Sequence, residues 1–220
     1  MIAKQLITGT VLPLKPADSW ATALSLMDDY RLSQLPLVDE KQYHGLISEK
    51  DIFDRNDFDA PIGSQHTSLA KPYSEDYKHV FDVIRLFTEN KLSVLPVLDR
   101  HKKYMGCITL AELIDFFSKS ASIANPGGII VLEMSYKDYS LSEIAQIVES
   151  NDAKVLSFFV STHNDSTRLE VSLKLNKIEI GSIIQTFNRY DYMIKASYTE
   201  KEDTEDLQDR YESFMKYLNI

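Results

Sequence analysis

The sequence predicts an α+β protein: a duplicated helix–strand–turn–strand–helix unit, then a βαββαβ unit, then a terminal helix. Three observations carry this. Leu35-Pro36-Leu37-Val38-Asp39 recurs as Leu95-Pro96-Val97-Leu98-Asp99 sixty residues later, with Ser33 matching Ser93 at the same offset. Beyond residue 128 the apolar residues switch between strand and helix periods in the order βαββαβ. Between the two patterns, 120–128 is a linker ending in Asn125-Pro126-Gly127-Gly128.

In each copy the helix comes from spacing: Ala23, Leu24, Met27 and Tyr30 in the first, Val80, Val83, Ile84 and Phe87 in the second. The apolar runs 35–38 and 95–98 are strands, and 42–47 and 104–108 are their hairpin partners. Gly45-Leu46-Ile47-Ser48 matches Gly106-Cys107-Ile108-Thr109 at an offset of sixty-one, so a hairpin turn takes up one extra residue. Ser48 and Thr109 occupy N-cap positions ahead of helices at 49–54 and 110–118. Sixty residues make a marginal domain, so the paired copies are expected to share a core. Downstream, strands are expected at 128–136, 155–162, 167–175 and 192–198, and helices at 140–151 and 176–189. From 205 onward, Leu207, Tyr211, Phe214, Met215 and Leu218 keep one register, which predicts an amphipathic tail helix.

Composition narrows the function. The chain is 44% hydrophobic with a net charge of −9, which argues against a nucleic-acid or anionic-membrane binder. The excess is uneven: the last 21 residues hold seven acidic and three basic side chains, so the rest is only mildly acidic. One cysteine, Cys107, excludes an internal disulfide and a cysteine cluster and fits a reducing compartment. No segment has the length and apolarity of a signal peptide or membrane span, so a cytoplasmic location is expected.

The duplicated motifs, Leu35-Pro36-Leu37-Val38-Asp39 and Gly45-Leu46-Ile47-Ser48-Glu49-Lys50-Asp51 with their second copies, resemble a CBS-domain pair, the Bateman module. The βαββαβ segment resembles an ACT domain by its order of elements. The combination is similar to acetoin-utilisation-type CBS–ACT regulatory proteins. The resemblance implies tandem CBS repeats, βαββα each, at 1–60 and 61–122, a ferredoxin-like ACT-type domain at 128–199 and an acidic tail helix at 200–220. It implies a non-catalytic sensor with no cofactor. Its ligand would be AMP, ADP, ATP or S-adenosylmethionine, held between the repeats. It also implies a homodimer and a regulated partner protein. The family motif, Gly-hydrophobic-x-Thr/Ser-x-x-Asp, falls on Gly45, Ser48 and Asp51, and on Gly106 and Thr109 with Glu112 in place of the Asp.

The residues allow two readings of that motif. A helix N-terminus with a nearby glycine seats an anion and lets the backbone approach a ligand, and an acid facing a ribose accepts its two hydroxyls. Equally, Ser48-x-x-Asp51 and Thr109-x-x-Glu112 are capping boxes, as are Ser140-x-x-Glu143 and Asn176-x-x-Glu179 where no nucleotide is expected. Asp51, Asp54, Asp57 and Asp59 fail the EF-hand pattern and are expected to form a solvated loop rather than a metal site. Arg100-His101-Lys102-Lys103 is expected on an exposed turn, Trp20 in the core, and Gly181 inside a helix where it eases packing on the sheet. No P-loop, nucleophile elbow or dinucleotide fingerprint is present. The alternatives are a ligand-independent dimerisation protein, or amino-acid sensing through the ACT-like part. The loop Lys137-Asp138-Tyr139-Ser140 keeps an Asp but lacks the glycine that amino-acid binders carry there.

Overall fold

Helices and strands alternate along the chain in the computed structural model, which describes residues 1–55, 57–63, 69–120, 122–162 and 167–199. The contacts divide the chain into two units, Met1–Phe116 and Phe117–Ile220. The expected tail helix and the loop 163–166 lie outside the described residues.

The first unit opens with a 3-10 turn, Ala3–Leu6. Helix α1 (Trp20–Tyr30) starts where the Ser19 hydroxyl accepts the Thr22 N–H at 3.1 Å, satisfying one of the donors that a helix start leaves unpaired. Its Trp20, Ala23 and Met27 are buried. Strands β1 (Gln34–Asp39) and β2 (Gln42–Ser48) form an antiparallel hairpin, and α2 (Glu49–Phe53) follows. Glu40 and Lys41 both take positive φ, 46° and 70°, as a two-residue primed turn requires.

The second repeat retraces this path. Helix α3 (Val80–Asn90) precedes the hairpin of β4 (Val94–Leu98) and β5 (Tyr104–Thr109). Helix α4 (Leu110–Ser120) comes last, its final turn passing the unit boundary. Leu37 pairs with Gly45 and Val97 with Gly106, and each hairpin shifts register at the next residue. The second turn, 99–103, takes up the extra residue. It is braced by Asp99 Oδ1, which accepts the N–H groups of His101 and Lys103, both at 2.8 Å. Those N–H groups hold the Asp99 carboxyl below its ordinary range, that of Lys103 most strongly.

Each repeat also has a leading strand too short for periodicity to reveal. In the second it is β3 (Ser74–Glu75), parallel to β4. In the first it is one bridge: Leu14 donates to the Pro36 carbonyl and accepts from the Val38 N–H, both at 2.8 Å. The hairpins meet side by side. The Ser33 N–H donates to Ser93 Oγ and the Ser93 N–H to Gln34 Oε1, each at 3.2 Å, while the Tyr104 N–H donates to the Lys41 carbonyl at 2.8 Å. Leu35, Leu37, Ile47, Leu95, Val97 and Ile108 are fully buried.

The arms that lead into the repeats cross over. Thr8, ahead of the first repeat, donates its N–H to the Cys107 carbonyl of β5 at 2.9 Å. Ala70, ahead of the second, accepts the Leu46 N–H of β2 at 2.9 Å. Gly45 and Gly106 make the crossings fit. Their φ values are +146° and +148°. An added Cβ would stand 2.6 Å from Leu69 Cβ in one case and 2.4 Å from Ile7 Cγ2 in the other. The room expected for a ligand beside each glycine is filled by the chain itself.

The second unit contains β6 (Ile129–Ser135), α5 (Leu141–Glu149), β7 (Val155–Thr162), β8 (Arg168–Leu175), α6 (Gly181–Arg189) and β9 (Met193–Tyr198). The sheet order is β7-β8-β6-β9, with every pair antiparallel. This is a βαββαβ unit with its first and third strands central. Alternate residues of β6 and β8, Ile130, Leu132, Leu169, Val171 and Leu173 among them, face Ile144, Ile147, Ile183 and Phe187 in one core.

Two expectations are corrected here. The helix expected at 176–189 begins only at Gly181. The Asn176 side chain is spent on the Lys154 N–H, at 2.7 Å, and the Lys177 carbonyl on the Gly128 N–H, at 2.8 Å, so 176–180 is tied to other segments. Gly181 is therefore the first helical residue, and a Cβ there would meet nothing within 4 Å, so it does not ease close packing.

Candidate functional site

Both copies of the motif place their hydroxyl and acid at a strand-to-helix junction. At Ser48, the N-cap of α2, the Ser48 hydroxyl donates to Asp51 Oδ2 at 2.5 Å and accepts the Asp51 N–H at 3.4 Å. Asp51 Oδ2 also accepts the Ser48 N–H at 2.8 Å. At Thr109 the pattern repeats. The Thr109 N–H donates to Glu112 Oε2 at 3.2 Å, the Glu112 N–H donates to the Thr109 hydroxyl at 3.4 Å, and that hydroxyl donates back to Glu112. Both are closed capping boxes, so each acid is already engaged with its own helix start.

The two motifs differ in what lies beside them. Thr109 and Glu112 line a cleft of about 520 Å³ between the repeats of the first unit, a size ordinary for small-molecule sites. Val11, Tyr30, Leu32 and Leu92 add apolar wall, and Ser33 and Ser93, hydrogen-bonded to each other, line it too. Arg31 and Lys91, which close α1 and α3, complete it. Gly106 lies against Ile7, Gly45 against Leu69, and neither glycine nor Ser48 nor Asp51 lines this cleft. No motif in the sequence marks Val11, Tyr30, Arg31 or Lys91 as cleft residues. A repeat signal was available for the last two, since Arg31-Leu32-Ser33 and Lys91-Leu92-Ser93 share the sixty-residue offset.

The other candidates take plainer places. Trp20 is 3% exposed, with the Arg55 guanidinium 4.5 Å over its ring, so it is a core residue and offers no face to an adenine. Asp57 Oδ1 accepts the N–H groups of Asp59 and Ala60, at 3.0 and 3.2 Å, bracing the loop after α2. Lys102 donates to Glu75 at 2.7 Å and to the Tyr73 hydroxyl at 2.9 Å on the exposed turn. Cys107 is fully buried, and burial pushes its thiol up to about 11. In the second unit, Asp138 accepts the Ser135 hydroxyl at 2.9 Å in the loop after β6. No helix among the described residues is long and apolar enough to cross a membrane.

A tandem α+β module with a cleft between two repeats is thus the frame of the first unit. Residues 3–56 and 74–119 match the family model of the CBS domain. The first unit is a CBS domain pair. The chain is 26% identical over 113 residues to the inosine-5'-monophosphate dehydrogenase of Methanocaldococcus jannaschii, a match spanning 51% of this chain and 23% of that enzyme. It is 27% identical over 117 residues to the homoserine O-acetyltransferase of Methanosphaera stadtmanae, spanning 53% of this chain and 24% of the enzyme. The chain therefore spans about a quarter of the length of these curated relatives. Among solved structures it is similar to a CBS domain pair/ACT domain protein from Thermotoga maritima. That similarity has 19% identity and a TM-score of 0.48, covering 54% of this chain and 98% of the other.

Proposed function

We propose that this protein is a non-catalytic sensor that binds an adenosine-containing ligand, of the AMP, ADP, ATP or S-adenosylmethionine class, in the cleft between its CBS repeats. One observation carries the reading: a cleft of about 520 Å³ joins the Thr109 and Glu112 motif of one repeat to the α1 end of the other. A ligand there touches both repeats at once. It shifts their arrangement to the extent that it binds one arrangement better, typically by about 1–3 kcal/mol of coupling. The motif acid acts by exchanging its cap bond to the Thr109 hydroxyl for a ribose hydroxyl. The enzyme relatives are matched over a quarter of their length, so their chemistry is not carried over. The βαββαβ unit, ACT-like in this reading, serves for pairing into a homodimer and for passing the change to a regulated protein in the cytoplasm.

Thermal melts of the whole chain with AMP, ADP, ATP and S-adenosylmethionine test the ligand. At a hundred times the dissociation constant a bound ligand adds about 2.7 kcal/mol of stability. Thr109→Val is expected to abolish the shift. A flat response to all four compounds would refute the reading and leave a ligand-independent assembly protein.

A further inference from the structure

Arg31 and Lys91 stand at equivalent ends of the two repeats, and both line the cleft. Each closes its helix in the left-handed conformation, with φ of 55° and 51°. That conformation favours glycine or asparagine, because a Cβ costs energy there. Both repeats instead carry a long cation. Cations at helix C-termini complement the dipole, but that benefit needs no left-handed residue and no cleft. Among the described residues neither Arg31 nor Lys91 forms an ion pair or a side-chain hydrogen bond. Glu112, the one carboxylate on the cleft wall, is held by Thr109. A protein of net charge −9 thus lines this cleft with two cations against one engaged acid.

We propose that Arg31 and Lys91 form a polyphosphate clamp, which makes the cleft selective for nucleoside di- and triphosphates over the monophosphate and over the cationic S-adenosylmethionine. The clamp rests on the ligand reading above and sharpens it. A guanidinium and an ammonium give charge-assisted bonds to phosphate oxygens, the guanidinium in a fork. A terminal phosphate reaching both gains what a monophosphate lacks.

Calorimetry on the full chain tests it with ATP, ADP, AMP, S-adenosylmethionine and inorganic tripolyphosphate, against Arg31→Gly and Lys91→Gly. Glycine suits the left-handed position, so these variants are expected to melt no lower than wild type. The expected result is ATP and ADP binding at least tenfold tighter than AMP. Each variant loses about tenfold in ATP affinity with little change for AMP. If wild type prefers AMP, or the variants lose ATP and AMP equally, the clamp is wrong. Tripolyphosphate separates the two ideas. Binding of tripolyphosphate that either variant abolishes, with no binding of AMP, keeps the clamp and removes the adenosine pocket. AMP binding without tripolyphosphate binding does the reverse.

Discussion

Gly106→Ala probes the crossing of the arms. The new methyl would stand 2.4 Å from Ile7 Cγ2, and the backbone φ is +148°. Two costs add. Holding a non-glycine residue on that side of the map costs about 1–3 kcal/mol. Overlap with the Cγ2 methyl of Ile7, whose β-branched side chain is stiff at χ1, costs about another 1–3 kcal/mol. Together they remove about 2–6 kcal/mol from a unit whose whole stability is on the order of 5–15 kcal/mol. At roughly 4 °C per kcal/mol for a unit of this size, its transition falls by about 8–24 °C. Calorimetric melts measure it. Ile7→Ala removes the opposing methyl, so a cycle with Gly106→Ala should return a coupling of about 1–3 kcal/mol. Gly181→Ala is the control. Its Cβ meets nothing within 4 Å, so it is expected to be neutral or to stabilise by up to about 1 kcal/mol. Should Gly106→Ala melt within about 2 °C of wild type, the chain does not pack against this glycine as described.

Further outcomes follow from other parts of the fold. Asp51→Glu keeps the box at Ser48, while Asp51→Ala opens it and costs about 1 kcal/mol; identical melts would mean that the box adds no stability. Phe187→Ala, in the core of the second unit, is expected to cost about 3–5 kcal/mol in chemical denaturation. The Cys107 thiol is raised to about 11 in the folded protein from 9.0, so its contribution is complete below pH 9 and is lost as pH climbs through 11. Two units correspond to about 2–3 kcal/mol. Burial raises Tyr43 and Tyr104 as well, with the same sign. Melts from pH 8 to 11 should fall steeply for wild type and less for Cys107→Ala, and thiol reagents at pH 8 should label Cys107 only as fast as the unit opens.

Much of the first unit was legible because its signals are local and doubled. The apolar runs around Pro36 and Pro96 read as strands at once, and Ser48 and Thr109 sit where helices start. The misses share a cause, which is that distant partners decide them. Asn176 and Glu179 have the spacing of a capping box, yet the Asn176 amide oxygen is taken by Lys154, twenty-two residues away. A glycine at 45 or 106 announces a close approach without naming what approaches, and here it is Leu69 or Ile7. The leading strands are one and two residues long, below any periodicity. Arg31 and Lys91 look like ordinary surface cations until the fold brings their helix ends to one cleft. The box and the ligand motif use the same atoms, so spacing alone had no means of separating them.

The crossed arms make each repeat incomplete without the other. The edge of β5 is covered by the arm at Thr8 and that of β2 by the arm at Ala70, so an isolated repeat would expose an open edge and carry a loose arm. Between separate molecules such an exchange would be a domain swap; here it is intramolecular, because both repeats belong to one chain. A chain cut between its repeats should therefore stay together as two halves. Each half alone should recruit a second copy of itself, because the arm that fits one edge is built on the same plan as the arm that fits the other.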